Sequence, residues 1–131
     1  MRQQYHIRQV AGETHVWDVF ALLALARGLP VQQVALDGIA ELQQAYWYPD
    51  SQPTTLDLIE HMRLVHAADL AYPIVLDADG KLMDGMHRVV KAVLAGQTHI
   101  AAVRLLVTPP PDCVNVDLDT LPYLDRVWDA V

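Results

Sequence analysis

Within eight positions, Asp84 to Lys91, the stretch "DGMHRVVK" gathers an acid, a glycine, a histidine, an arginine and a lysine. An apolar, helix-like run follows at once and stops at Gly96. If a helix starts near Gly85 or Met86, its first amides lack intrahelical partners and its dipole adds partial positive charge there. Gly85 carries no side chain to block a close approach, so such a terminus suits an anion. His87 and Lys91 are four apart and Arg88 and Lys91 three apart, a spacing that lets all three lean to one side. Cations at a helix start oppose the dipole, so the arrangement makes sense if an anion, or Asp84, neutralises them. The chemistry this suggests is phosphate binding by Gly85, Met86, His87, Arg88 and Lys91, with the helix start facing an open cleft. Asp84 and His87 are the candidates for catalysis, Asp84 as base or Mg²⁺ ligand in a phosphotransfer or hydrolysis. The competing reading is structural: Asp84 as a helix cap paired with Arg88, and His87 as a surface histidine.

Other residues extend this candidate site. The run "AYWYP" places Tyr46, Trp47 and Tyr48 in succession; Tyr46 and Trp47 are either core anchors or a stacking wall for a planar ligand. His61 and His66 share one expected helix but are five apart, and so lack the i,i+4 spacing of a helical metal pair. His61 can still form part of the wall. Asp69 reads as a loop-capping acid, Arg104 as a solvated strand residue, and Asp77 and Asp79 as a turn frame. No metal site is expected. The one cysteine, Cys113, excludes an internal disulfide and a cysteine cluster.

The elements that must position these residues follow from pattern. "YHIRQV" and "ETHVW" around "AG" suggest a hairpin over 4–17. Asp18 caps "VFALLALARG", which Gly28 and Pro30 stop. A strand at 31–36 and a short helix at 37–45 follow. Pro49 and Pro53 break regular structure, and Thr54 with Asp57 forms a capping box for a helix over about 55–68. That helix puts Leu58, Met62 and Val65 on one stripe, with Ile59 close by. "YPIVLD" at 72–77 is a buried strand, "ADGK" a turn with Gly80 at positive φ, and "KLMD" a short second strand. The helix "MHRVVKAVLAG" turns Val89, Val90, Val93 and Leu94 to the sheet, and 99–107 is a last strand. "TPPPD" at 108–112 cannot lie inside a sheet and opens an acidic tail with Tyr123 and Trp128 as anchors. The expected fold is α+β, a small mixed sheet with packed helices. It forms one domain over 1–131: a core at 31–107, an N-terminal hairpin and helix at 1–30, and the tail at 108–131 packed on the core.

Bulk properties narrow the function classes. The 131 residues are 53% hydrophobic and 19% charged, a composition that folds. Nine Lys+Arg against sixteen Asp+Glu give a net charge of −7, which disfavours nucleic-acid binding. No apolar run nears the ~20 residues that span a bilayer, and the polar N-terminus lacks a signal core, so the expectation is a cytoplasmic protein without a membrane partner.

The stretch "YPIVLDADGKLMDGMHRVVKAVLAGQTHIAAVRL" resembles the core of the ParB/sulfiredoxin fold superfamily over residues 72–107, and within it a small bacterial subgroup that supplies a fold and no activity. The resemblance implies nucleotide binding at the helix start, with Mg²⁺ as the candidate accompanying ion. Gly85, His87 and Arg88 match the phosphate-cradling positions, and Asp84 matches the acid of a serine-kinase-like version. Met86 stands where sulfiredoxins have their reactive cysteine, and a thioether cannot act as a thiolate, so sulfiredoxin activity is not expected. No helix-turn-helix segment follows, and a chromosome-partition role is not expected either. The leading expectation is a phosphate-bearing small-molecule ligand, a nucleotide in the first place; the alternative is a non-enzymatic regulatory module with a protein partner.

Overall fold

Strand β1 (Tyr5–Val10) turns back into β2 (Glu13–Asp18) through Ala11 and Gly12, both at positive φ (51° and 81°). Two consecutive left-handed residues give the turn the twist that a two-residue hairpin needs. The structure, a computed structural model, describes residues 3–123. Asp18 ends β2 and caps α1 (Val19–Ala26), its carboxylate accepting from the Phe20 amide at 3.0 Å.

The chain then forms β3 (Gln32–Ala35) and two 3₁₀ turns, Leu36–Gly38 and Ala40–Gln43. The α-helix expected over 37–45 is absent. Ile39 is extended (φ −86°, ψ 97°) and 6% exposed, so its side chain enters the core only by interrupting the helical path. Asp37 and Gly38, poor helix formers, offer little resistance. The capping box forms as expected: the Thr54 hydroxyl accepts from the Asp57 amide, and the Asp57 carboxylate accepts from the Thr54 amide, opening α2 (Thr55–Ala67).

Next come β4 (Ile74–Leu76), β5 (Leu82–Asp84), α3 (Met86–Leu94) and β6 (His99–Arg104). The β4–β5 turn is built on Asp77, whose carboxylate accepts from the amides of Asp79 and Lys81, both at 2.9 Å. Gly80 sits there at φ 86° as the turn demands. Last, β7 (Cys113–Val114) pairs with β2.

Among the described residues the protein is α+β with three α-helices and two small sheets, the expected mixed sheet and a second one built on the expected hairpin. One is antiparallel, in the order β1-β2-β7; the other is mixed, in the order β3-β6-β4-β5, with β4 parallel to β6 and its other pairs antiparallel. The second sheet is the expected hairpin, extended to three strands by β7, an addition that no local pattern announces.

Period-two alternation places the four-stranded sheet between two cores. Ile74, Leu76 and Leu82 point to one side, where they meet Met86, Val89 and Ala92 of α3. Val75 and Met83 point to the other, where they meet Trp17, Val19 and Leu22. Helix α3 thus buries residues at steps of three, while Val93 and Leu94, expected on the sheet, are exposed. Of the α2 stripe only Val65 is buried; Leu58, Ile59 and Met62 lie on the surface.

The described part of the tail lies along the hairpin. Trp17 Nε1 donates to the Pro109 carbonyl at 2.9 Å, and the Asp112 carboxylate accepts from the Asp18 amide at 2.8 Å. Tyr123 meets Tyr5 edge-on. The second expected anchor, Trp128, lies outside the described residues. Among the described residues no helix is long and apolar enough to cross a membrane.

Candidate functional site

The residues 84–91 divide among three surroundings rather than converging on one cleft. Gly85 starts α3 at φ 114°, and no side chain caps the helix amides. A Cβ here would lie 2.6 Å from Ile74 Cγ2, so glycine is required by the backbone and by the space. Asp84 and Arg88 form a mostly buried i,i+4 ion pair at 2.8 Å. The same guanidinium donates to the carbonyls of Tyr72 (3.1 Å) and Pro73 (2.7 Å). Lys91 donates to the carbonyls of His66 (3.0 Å) and Ala68 at the end of α2. Those carbonyls have no helical partners, so Lys91 satisfies them and complements the partial negative charge at the end of the α2 dipole. The expectation that His87, Arg88 and Lys91 lean together over the helix start is therefore corrected: the two cations tie α3 to the 66–73 segment. Burial pushes the Asp84 carboxyl up, with Arg88 opposing.

His87 takes a third direction. Its Nε2 lies 2.9 Å from Nδ1 of His61, so the two rings share a hydrogen bond across α2 and α3. Trp47 stacks on both, with centroid separations of 4.0 Å to His61 and 4.8 Å to His87. Tyr48 meets His61 edge-on at 5.5 Å. Burial lowers both histidines, His61 against the pull of Asp57 and Glu60, His87 helped by His61 and Arg88. Both shifts favour the neutral ring, and in the shared bond one ring donates and the other accepts. Met86 is buried and His87 lies against Trp47, so the aromatic loop borders one side of the helix start. Tyr46 and Trp47 are at once core anchors and neighbours of the site, packing on the α3 side of the sheet.

A second polar cluster joins the hairpin to the sheet. Arg8 pairs with the buried Asp77 at 2.9 Å and donates to His6 Nε2 at 3.1 Å. The Tyr46 hydroxyl lies 3.5 Å from the other His6 nitrogen. Burial, with Arg8 adding to it, brings His6 down to about 4. Burial, with Asp84 and Glu41 adding to it, pushes Tyr46 up to about 12. Burial would raise Asp77, but the Lys81 amide and Arg8 outweigh it and hold it down. Asp77 is thus more than a turn residue. The alternation of His6 and Arg8 on one strand face was the available signal; nothing local links either to Asp77.

Remaining expectations fall out simply. Asp69 accepts from the Ala71 amide, a loop cap. Arg104 is exposed, yet its guanidinium donates to the Ala78 carbonyl. His66 is exposed, and its side chain is apart from the pair. Two cavities, of about 350 and 400 Å³, lie elsewhere, one beside Leu42 and Val93 and one between Trp17, α1 and Pro109–Pro110. Among the described residues no group of three His, Cys, Asp or Glu side chains converges.

No protein-family model, no curated protein and no solved structure matches this chain.

Proposed function

We propose that the protein is a binding domain for a small phosphate-bearing molecule, a nucleotide in the first place, at the start of α3. The observation that carries this reading is the uncapped, glycine-led α3 terminus beside the hydrogen-bonded His61–His87 pair and Trp47. Helix amides and an imidazole N–H supply donors for phosphate, and the indole supplies a planar surface for a base. The resemblance of residues 72–107 to the ParB/sulfiredoxin fold supports the same ligand class. Arg88 and Lys91 contribute indirectly, by fixing the frame. Asp84 is held by Arg88 and is not poised as a free base, so the reading is binding without phosphotransfer. The test is a thermal-shift panel of ATP, ADP, CTP, GTP and inorganic phosphate, with and without Mg²⁺. A ligand at 100 times its Kd stabilises by about 2.7 kcal/mol. His87→Ala should remove the shift and Arg104→Ala should keep it; no shift with any of these ligands rejects the reading.

A second reading, a protein-interaction module without a small ligand, is favoured by the surface of α2. Leu58, Ile59 and Met62 are 51%, 50% and 41% exposed on one side of the helix, more apolar surface than a solvated helix needs. Sedimentation of the wild type and of Met62→Glu over a concentration series tests self-association. A monomer at every concentration leaves this reading dependent on a different protein.

A further inference from the structure

We infer that His61 and His87 form a two-histidine chelate for a borderline first-row dication such as copper, nickel or zinc. Histidine pairs usually reach a metal from one helix, at i and i+4. Here the two ligands come from different helices, α2 and α3, and Nδ1 of one faces Nε2 of the other at 2.9 Å. Two metal–nitrogen bonds of about 2.0–2.1 Å at a tetrahedral angle hold their nitrogens about 3.3 Å apart. A metal ion enters when the pair opens by about 0.4 Å and each ring turns within its plane, so that the two lone pairs converge beside the N···N line. The shared proton moves to the outer nitrogen of the ring that donated it, so both ligands stay neutral. The 2.9 Å contact is the one hydrogen bond either ring makes with the described residues, so the exchange breaks nothing else.

Preorganisation supports the same conclusion. Trp47 lies nearly parallel to both rings, at 17° to His61 and 20° to His87, and fixes their planes before any ion arrives. The surrounding charges are mixed. Asp57 and Glu60 lie on the His61 side, while Arg88 on the His87 side is neutralised by Asp84. Asp57 is occupied by the capping box and Glu60 by Arg63, so the protein gives two ligands and water fills the remaining positions. Such a nitrogen-based site with open positions should follow the usual order, copper above nickel and zinc.

The test uses the 131-residue chain in buffer free of phosphate and nucleotide. Zn²⁺ is titrated by calorimetry, and Cu²⁺ and Ni²⁺ by tryptophan fluorescence. We expect one saturating event at one ion per chain, with quenching by Cu²⁺ that is lost in Trp47→Phe while Zn²⁺ still binds. Affinity should fall about tenfold or more in His61→Ala and in His87→Ala, and stay unchanged in His66→Ala and His15→Ala. Undiminished affinity in the two site variants, loss in His66→Ala, or no binding at millimolar metal would overturn the chelate. If the alanine variants do not fold, imidazole nitrogen spectra of the wild type decide: Zn²⁺ must shift His61 and His87 first, and first shifts at other histidines would overturn it. With no anion present, a negative result leaves the phosphate reading standing, and a positive one does not depend on it.

Discussion

His61 and His87 are 26 positions apart in sequence, yet their ring nitrogens meet at 2.9 Å beneath the indole of Trp47. The contact exists because α2 and α3 lie side by side, tied at the far end by Lys91. Replacing either histidine should loosen the aromatic loop. We expect His61→Ala to redshift Trp47 emission and speed proteolysis near residues 46–50, with little change in far-ultraviolet circular dichroism. An unchanged spectrum would mean that the loop holds without the stack.

Arg88 and Lys91 should act on stability before they act on any ligand. Arg88→Ala leaves Asp84 buried without its partner and frees two backbone carbonyls. Breaking such a pair costs roughly 3–5 kcal/mol when buried and less where water reaches it, so about 2–3 kcal/mol is expected here. Lys91→Met exposes the α2 carbonyls and should cost about 1 kcal/mol. Urea unfolding measures both.

Gly85 and Gly80 make a controlled comparison. Both have positive φ, but only at Gly85 does a Cβ strike the core, at Ile74. Gly80→Ala should cost about 1–2 kcal/mol from the left-handed backbone alone. Gly85→Ala adds overpacking, roughly 1–3 kcal/mol more. Equal losses would show that Ile74 yields freely.

The hairpin turn offers a gain. Ala11 holds φ 51° in open surroundings, a conformation that costs an alanine and suits Asn or Gly. Ala11→Asn should stabilise by about 0.5–1 kcal/mol, read as a higher urea midpoint at unchanged slope.

His6 gives stability a pH dependence. Its folded pKa of about 4 lies below the unfolded value of 6.5, so the unfolded chain binds the proton first. The contribution is complete above pH 6.5 and is lost as pH falls toward 4. Between pH 7.5 and 4.5 that is about 2–3 kcal/mol. His61 and His87 act in the same direction, and the raised Asp84 in the opposite one. His6→Gln should flatten the urea midpoint over this range; an unchanged slope would assign the effect to other groups.

The sequence by itself determined what neighbouring residues decide. The Thr54–Asp57 capping box, the Asp18 cap, the Asp77–Gly80 turn and the glycine-led start of α3 are all local bonds or local φ angles, and each is visible as residue types at fixed spacing. The α+β class followed from the same periodicities. Tertiary structure decided where the polar groups point. Arg88 and Lys91 carry full charges that read as ligand grips, but backbone carbonyls reach them first, those of Tyr72 and Pro73 for Arg88 and those at the end of α2 for Lys91, because a carbonyl left without a partner is costly. His61 reads as a wall of the site that holds His87, and only the packing of α2 on α3 makes the two a hydrogen-bonded pair. Arg8 and Asp77, 69 positions apart, meet because the hairpin folds over the sheet, and β7 leaves the tail to extend the hairpin. Contacts over such separations depend on which faces pack together, and periodicity fixes a residue's face without naming the element that covers it.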